Sequence, residues 1–240
     1  MPFAVPPVDT TRKPLSCERV KVNWEHPLNQ GLVAWWLFNE QNTKSPALSI
    51  TDGRPALLNG PTWSGRDGSS LYFDGNDYLL CDQNPNDFDF TSGGYTIVAR
   101  VAEAVYSGDQ TIFSRITAAN GYAGLEYISK SGVQPGIYNG SNWFYDPAFT
   151  MVDARFYTWI SAANGTTIEW WANGKYDGST NASLPSNSNL NLYIGARGGT
   201  VNFWTGWISF LALYNRCLSV GEIQQWFSCP YGTPTNPRLI

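Results

Sequence analysis

The chain has 240 residues, of which 42% are hydrophobic, 15% aromatic and only 14% charged, and its formal net charge is -4. This composition excludes a disordered chain, which needs low hydrophobicity and high net charge, and a long helical protein, which is rich in Ala, Glu, Lys and Leu. The apolar runs are too short for a membrane-spanning helix, and the 15 Lys and Arg residues form no basic stripe that would favour nucleic acid as a partner.

Residues 1–28 are predicted to form an extended arm, because five prolines in this segment interrupt any continuous helix or central strand. The arm is locally basic and contains Arg12, Lys13, Arg19 and Lys21. Two interpretations are open: the arm lies along the protein as a strap, or its basic side chains dock the protein into a larger assembly. No basic region followed by an apolar stretch is present, so a secretory signal is not predicted.

From Leu32 onward the sequence alternates between short strand patterns and turns. Five Asn-Gly and four Asp-Gly pairs favour tight hairpin turns, because these residues tolerate positive φ. The clearest hairpin is predicted over 156–172, with Asn164 and Gly165 at its turn. Further strands are predicted at 71–73, 78–81, 95–101, 111–115, 125–129, 190–194 and 207–214. Many short strands separated by turns favour a β-sandwich or a barrel.

One short helix is predicted after the last strand, and Ser219 marks its start. Ser219 and Glu222 have the spacing of a capping box, which satisfies backbone amides in the first helical turn. The helix is expected to bury one apolar face made of Val220, Ile223, Trp226 and Phe227. Pro230 prevents the helix from continuing.

These elements divide the chain into the arm 1–28, one sandwich domain over 29–228, and an extended Pro-containing tail over 229–240. The four cysteines are dispersed and lack the C-x-x-C spacing of a zinc site. They are expected to be free thiols of a protein made in a reducing cytoplasm, and two disulfides are the alternative.

Five segments together resemble the laminin-G-like, concanavalin A-like family. The matching segments, in the order of the family, are 31–40, 71–78, 95–101, 168–174 and 203–223. They are similar to the first strand, the F-D-G-x-D-Y segment, the following core strand, the L-x-L-Y-V-N-G strand, and the closing strand with its short helix. The resemblance implies an all-β fold, a jelly-roll sandwich of two antiparallel sheets with one short C-terminal helix.

The flanks of the domain resemble those of single-domain laminin-G-like proteins encoded by tailed bacteriophages. This likeness rests on 22–24, on 26–31 and on the Pro-rich tail. It implies a virion structural protein, a capsid decoration protein on the virion surface that is made in the host cytoplasm. The expected partners are the major capsid protein or other virion subunits, with a second copy of the chain and a cell-surface glycan as further candidates.

A carbohydrate-binding adhesin or tail-fibre module is the alternative function. Residues 138–146, which are interpreted as a loop, combine aromatic rings, on which sugars stack, with amides and a carboxylate that can bond hydroxyl groups. The candidate binding residues among them are Asn142, Trp143, Phe144, Tyr145 and Asp146. The same residues also suit burial against another protein chain, because Trp and Tyr anchor protein interfaces.

Catalysis is not expected from this sequence. His26 is the one histidine, and it lies in the arm before a proline. The glycosidases of the family carry a Glu-x-Asp-x-x-Glu strand, whose carboxylates flank the sugar bond. No Glu of this chain is followed two residues later by Asp, which makes a glycan-cleaving enzyme the least favoured function.

A structural calcium ion is implied by the family but conflicts with one residue here. Family members often bind calcium through an acidic residue after the first strand and an Asp in the G-x-I-D segment of the closing strand. Glu40 matches the first position, whereas Ser209 replaces the Asp at the second. No cofactor is therefore expected, and Glu40 is retained as the single candidate metal ligand.

Overall fold

The computed structural model describes residues 13–14, 20–41, 46–82, 89–105, 108–116, 124–131, 134–151, 155–185, 191–231 and 235–237. Arg12, Arg19 and Cys17 of the predicted arm lie outside the described residues. Within these ranges, no helix has the length and apolar character needed to cross a membrane.

The described residues form eighteen strands and one α-helix. In chain order they are β1 (Val20–Val22), β2 (Leu32–Trp36), β3 (Ala47–Leu48), β4 (Pro55–Asn59), β5 (Thr62–Ser64), β6 (Ser70–Asp74), β7 (Tyr78–Asp82), β8 (Tyr95–Glu103), β9 (Gln110–Ser114), β10 (Glu126–Lys130), β11 (Gln134–Tyr138), β12 (Trp143–Tyr145), β13 (Tyr157–Ala163), β14 (Thr167–Ala172), β15 (Lys175–Asn181), β16 (Leu192–Ile194), β17 (Thr205–Tyr214), α1 (Val220–Ser228) and β18 (Thr235–Pro237). Two short 3-10 turns occur at Pro27–Asn29 and Arg66–Gly68.

Two antiparallel sheets of the described strands form a sandwich. Sheet I has the order β12-β11-β10-β9-β16-β7-β4-β3, and sheet II has the order β15-β14-β13-β8-β17-β6-β5. Strand β2 lies beside the second half of β17 and completes sheet II. The predicted all-β sandwich with one short C-terminal helix is confirmed.

The main core lies between the two sheets. Alternating residues of β8 supply it from sheet II, and they are Tyr95, Ile97, Ala99 and Val101. Leu79 and Ile112 face them from sheet I. Trp159 and Trp170 also lie here and are at most 1% exposed. Strand alternation thus directs one face of each sheet inward.

A second apolar layer covers the outer face of sheet II. Its members from the sheet include Val98, Phe210 and Trp35, which is buried here rather than between the sheets. Helix α1 packs over them, with the rings of Trp35 and Trp226 centred 5.0 Å apart. The central strands of sheet II are therefore buried on both faces.

Part of the arm and part of the tail pair with each other on this same side. Strand β1 from the arm is antiparallel to β18 from the tail. Val20 and Val22 are buried in the second apolar layer, whereas Lys21 between them is exposed. These residues of the arm therefore lie along the domain as a strap.

The predicted hairpin over 156–172 is present as β13 and β14. The Asn164 amide donates to the Thr167 carbonyl at 3.1 Å, so the central turn residues are Gly165 and Thr166, one position later than predicted. Gly165 has a φ of 97°, which glycine adopts readily. The Asn164 side chain explains the shift, because it accepts from the amides of Thr166 and Thr167.

Helix α1 begins after Ser219, as predicted. The Glu222 carboxylate accepts hydrogen bonds from the Ser219 amide at 2.9 Å and from its hydroxyl at 2.8 Å. The buried face of the helix consists of Ile223, Trp226 and the half-buried Phe227. The prediction was wrong for Val220, which is 52% exposed because it starts the helix beside solvent.

Candidate functional site

The segment 138–146 is a hairpin at the edge of sheet I rather than a loop. Strands β11 and β12 pair across it, with Tyr138 opposite Trp143. The turn is held by Asn139, whose side-chain oxygen accepts from the amides of Ser141 and Asn142. Asn142 itself is exposed in this turn. The hairpin gives each predicted binding residue a defined side of the sheet.

Alternation along β12 separates the predicted residues. Trp143 and Tyr145 lie half-buried on the outer face of sheet I, whereas Phe144 packs against the main core. Asp146 is only 1% exposed, and its carboxylate accepts from the amides of Ala148 and Phe149. Asp146 therefore closes a turn, and Phe144 packs against the core. Neither side chain lies on the outer face with Trp143 and Tyr145.

Three aromatic rings form a platform on this edge. The Tyr138 and Trp143 ring centroids are 4.9 Å apart, and the Trp143 and Tyr145 rings are 6.0 Å apart and nearly parallel, at 4°. The Tyr145 ring lies over Gly136, where an added Cβ would come within 2.7 Å of it. The absence of a side chain at Gly136 lets the ring lie flat against the strand.

An ion pair borders the aromatic platform. Glu126 is fully buried on β10, and the Arg197 Nε donates to its two carboxylate oxygens at 2.9 and 3.0 Å. The Thr111 hydroxyl donates to the same carboxylate at 2.6 Å. Burial raises the pKa of Glu126, and the Arg197 guanidinium opposes this rise. The guanidinium also lies 5.7 Å from the Trp143 ring centre, within cation–π range.

A second ion pair lies beside Tyr145. The Lys130 ammonium is 3.0 Å from Asp109, and it lies 5.7 Å from the Tyr145 ring centre. The hydrogen bond to Asp109 raises the pKa of Lys130, so the ammonium stays charged at neutral pH. Both outer rings of β12 thus have a cation beside them.

The strand register extends this surface across sheet I. Paired positions run over five strands in the order Trp143, Tyr138, Glu126, Ser114 and Tyr193. The Tyr193 ring meets Tyr78 at 5.8 Å. Four strand spacings separate β12 from β16, or roughly 19 Å. We call this surface the aromatic face, and it consists of Tyr78, Glu126, Tyr138, Trp143, Tyr145, Tyr193 and Arg197.

Sequence reasoning identified Trp143 and Tyr145 as binding residues and included Tyr138 in the same segment, but it missed the other members of the aromatic face. Tyr78 and Tyr193 carried a usable signal, since each alternates with an apolar residue in a short strand. Glu126 and Arg197 carried none, because 71 positions separate them in the chain.

The candidate calcium position does not fit a metal ion. Glu40 accepts a hydrogen bond from the Leu48 amide at 2.7 Å, and Ser209 supplies no carboxylate. Among the described residues, no group of three or more His, Cys, Asp and Glu side chains could hold a metal. An ammonium group lies at Ser209 instead, and it belongs to Lys13.

Lys13 is buried in its own domain, which is contrary to the interpretation of its side chain as a docking residue. Its Nζ donates to the Ser69 carbonyl at 2.7 Å and to the Ser209 hydroxyl at 3.1 Å, and it also bonds the Ser209 carbonyl. The Phe38 carbonyl lies 3.5 Å away. Lys13 is 8% exposed, so it belongs to the interior rather than to a docking arm.

The chain is thus a β-sandwich whose sheet I carries a partly exposed aromatic surface. Residues 73–224 match the family model described as the concanavalin A-like lectin/glucanases superfamily. The match covers more than half of the chain, and the chain belongs to this superfamily. No curated protein is similar enough in sequence to count as a relative.

Three solved structures illustrate the similarity in fold. Domain 4 of AbnA, an extracellular arabinanase from Geobacillus stearothermophilus in complex with arabinotriose, has a TM-score of 0.62 at 12% identity, covering 81% of this chain and 97% of that domain. Trypanosoma rangeli sialidase in complex with sialic acid has a TM-score of 0.62 at 16% identity, covering 82% of this chain and 33% of that one.

The binding domain of botulinum neurotoxin DC in complex with SialylT has a TM-score of 0.56 at 12% identity, covering 84% of this chain and 52% of that one. The chain thus spans about a third of the sialidase and half of the neurotoxin domain. At these identities the likeness establishes the fold alone.

Proposed function

We propose that the protein is a carbohydrate-binding module whose aromatic face binds an oligosaccharide without cleaving it. The observation that carries this proposal is the platform of Tyr138, Trp143 and Tyr145. The nearly parallel rings of Trp143 and Tyr145 are partly exposed, and the Tyr138 ring is buried beside Trp143. Sugar rings stack their apolar faces on such surfaces, and the adjoining ion pairs offer polar atoms for hydroxyl groups. The arabinotriose and sialic acid of the similar structures are consistent with this class of ligand.

The geometry favours an extended ligand over a single sugar. The two aromatic groups of the face, at Trp143 and at Tyr193, lie four strand spacings apart, or roughly 19 Å. A chain of several sugar units would reach both groups, whereas one unit would contact only one. Binding without cleavage is proposed because Glu126 is held in an ion pair and the sequence lacks the Glu-x-Asp-x-x-Glu strand.

Replacing Trp143 by Ala should weaken oligosaccharide binding by about 5- to 30-fold, because one central ring commonly supplies 1–2 kcal/mol of the binding free energy. A glycan array screened with the intact chain would identify the ligand, and calorimetric titration would then compare the variants. Trp24→Ala is the matched control, since Trp24 is 55% exposed outside the aromatic face. The proposal would be contradicted if no glycan on a broad array bound the chain, or if the wild type, Trp143→Ala and Trp24→Ala had equal affinities.

A second candidate function is display on a virion, as a capsid decoration protein of a tailed bacteriophage. The observation that favours it is the opposite placement of the flanks and the aromatic face. Strands β1 and β18 accompany the second apolar layer on sheet II, whereas the aromatic face lies on sheet I. A module attached through its flanks would point that face outward. Co-sedimentation with intact particles tests this function, and recovery only as a free monomer would exclude it.

A further inference from the structure

We propose that the Lys13 ammonium is a built-in cation that takes the place of the family's structural calcium and fastens the arm to the sandwich. The acceptors around it come from three separate parts of the chain: Phe38 follows β2, Ser69 precedes β6, and Ser209 lies in β17. A single side chain from the arm thus ties together elements that are far apart in sequence.

The backbone around these acceptors explains why they need a cation. Strand β17 has an irregular register with β8 between Ile208 and Phe210, which releases Ser209 from the regular ladder. Phe38 has a φ of 49°, which ends the extended run of β2. Buried carbonyl groups outside a ladder require a donor, and an ammonium supplies three N–H groups at once.

Nearby carboxylates favour a positive charge at this position. Asp67 and Glu40 both raise the pKa of Lys13, while burial is the larger effect and lowers it to about 7. Arg100 adds a further lowering contribution, although Asp67 holds its guanidinium at 2.6 Å. The second oxygen of Glu40 is buried without a hydrogen-bond partner among the described residues. The pocket therefore combines several oxygen acceptors with two nearby carboxylates, which offset part of the cost of burying the charge.

The ammonium and a calcium ion would compete for one place. Ser209, where the family carries its second carboxylate, bonds Lys13 directly, and Glu40, the first candidate ligand, acts on Lys13 through its charge. Two cations cannot share these acceptors. A lysine differs from calcium in being covalently attached, so a chelator cannot remove it.

Thermal unfolding of the full chain with EDTA or with calcium chloride tests the proposal. The wild-type Tm should be the same in both conditions, and calorimetric titration of the wild type with calcium should show no binding. Lys13→Met should lower the Tm by roughly 10 °C, because three buried carbonyl groups and the Ser209 hydroxyl lose this donor. Lys21→Met is the matched control, since Lys21 lies in the same arm but is exposed, and its Tm should not change.

The double variant Lys13→Met with Ser209→Asp tests whether the two cations use one site. It restores the second carboxylate of the family, and calcium should raise its Tm while leaving the wild type unchanged. The proposal is overturned if the wild type loses stability in EDTA or binds calcium, or if Lys13→Met is as stable as Lys21→Met. If calcium does not change the Tm of the double variant, the proposal that the two cations use one site is overturned. The wild-type measurements decide the question even if a variant fails to fold.

Discussion

Replacing Arg197 by Ala should lower the free energy of unfolding by about 3–5 kcal/mol at neutral pH, because a buried carboxylate would lose its counterion. Glu126 has no exposed surface, and Arg197 contacts both of its oxygens. In the variant, the Thr111 hydroxyl would be the remaining donor to this carboxylate among the residues that the structure describes. One neutral hydrogen bond cannot offset the loss of hydration of a full charge.

The loss of stability caused by Arg197→Ala should increase as the pH rises. Burial already raises the pKa of Glu126 in the folded protein, and removing Arg197 removes the main opposing effect. The folded variant would then keep its proton at pH values where the unfolded chain has lost it, so its stability falls as pH rises above about 4.3. Urea denaturation of both proteins should give a small difference near pH 4 and a large one at pH 7.

A second substitution distinguishes the effect of the buried Glu126 charge from the effect of losing the Arg197 side chain. Glu126→Gln in the Arg197→Ala background removes the buried charge while keeping an oxygen for Thr111, so part of the lost stability should return at pH 7. A difference between wild type and Arg197→Ala that is equal at pH 4 and pH 7 would contradict this explanation. So would a double variant no more stable than Arg197→Ala at neutral pH.

Local signals explain which parts of the fold were predictable. The hairpin at Asn164 and Gly165 and the helix start at Ser219 depend on interactions within a few residues. Even so, the turn is displaced by one residue, because the Asn164 side chain accepts two backbone amides and places Gly165 at the first central position. Composition predicts that a turn occurs here but not which hydrogen bonds close it.

The candidate binding residues show a different limit. Trp143, Phe144 and Tyr145 have the composition of a sugar-binding segment, but treating them as a loop hides their alternation. Period-two alternation would have directed Phe144 to the core and left the other two outside. The error therefore came from the assignment of the element, not from the residue types.

The ion pair of Glu126 with Arg197 and the burial of Lys13 could not be predicted from the sequence. The pairing of Glu126 with Arg197 requires β10 and the end of β16 to meet through β9, and this register depends on the whole sheet. The burial of Lys13 could not be predicted, because three of its four acceptors are backbone carbonyls. Any residue type supplies a carbonyl, so only the folded chain shows where they converge.

Replacing Gly206 by Ala should destabilise the protein by more than about 4 kcal/mol. Gly206 has a φ of 144°, and an added Cβ would lie 2.3 Å from the Ala102 carbonyl oxygen and 2.9 Å from the Ala104 amide nitrogen. Both are backbone atoms. Strand β17 pairs with β8 on one side and β6 on the other at this point, so neither neighbour can move without breaking the ladder.

Gly221→Ala is the matched control for this prediction. Gly221 lies in α1, and nothing lies within 4 Å of the position of its Cβ, so alanine should stabilise the helix by about 0.5–1 kcal/mol. Urea denaturation followed by circular dichroism would measure both variants, and a Gly206→Ala protein as stable as wild type would contradict the expected clash. Both substitutions add one methyl group and reduce the entropy of the unfolded chain equally, so the difference between them isolates the steric cost in the native strand.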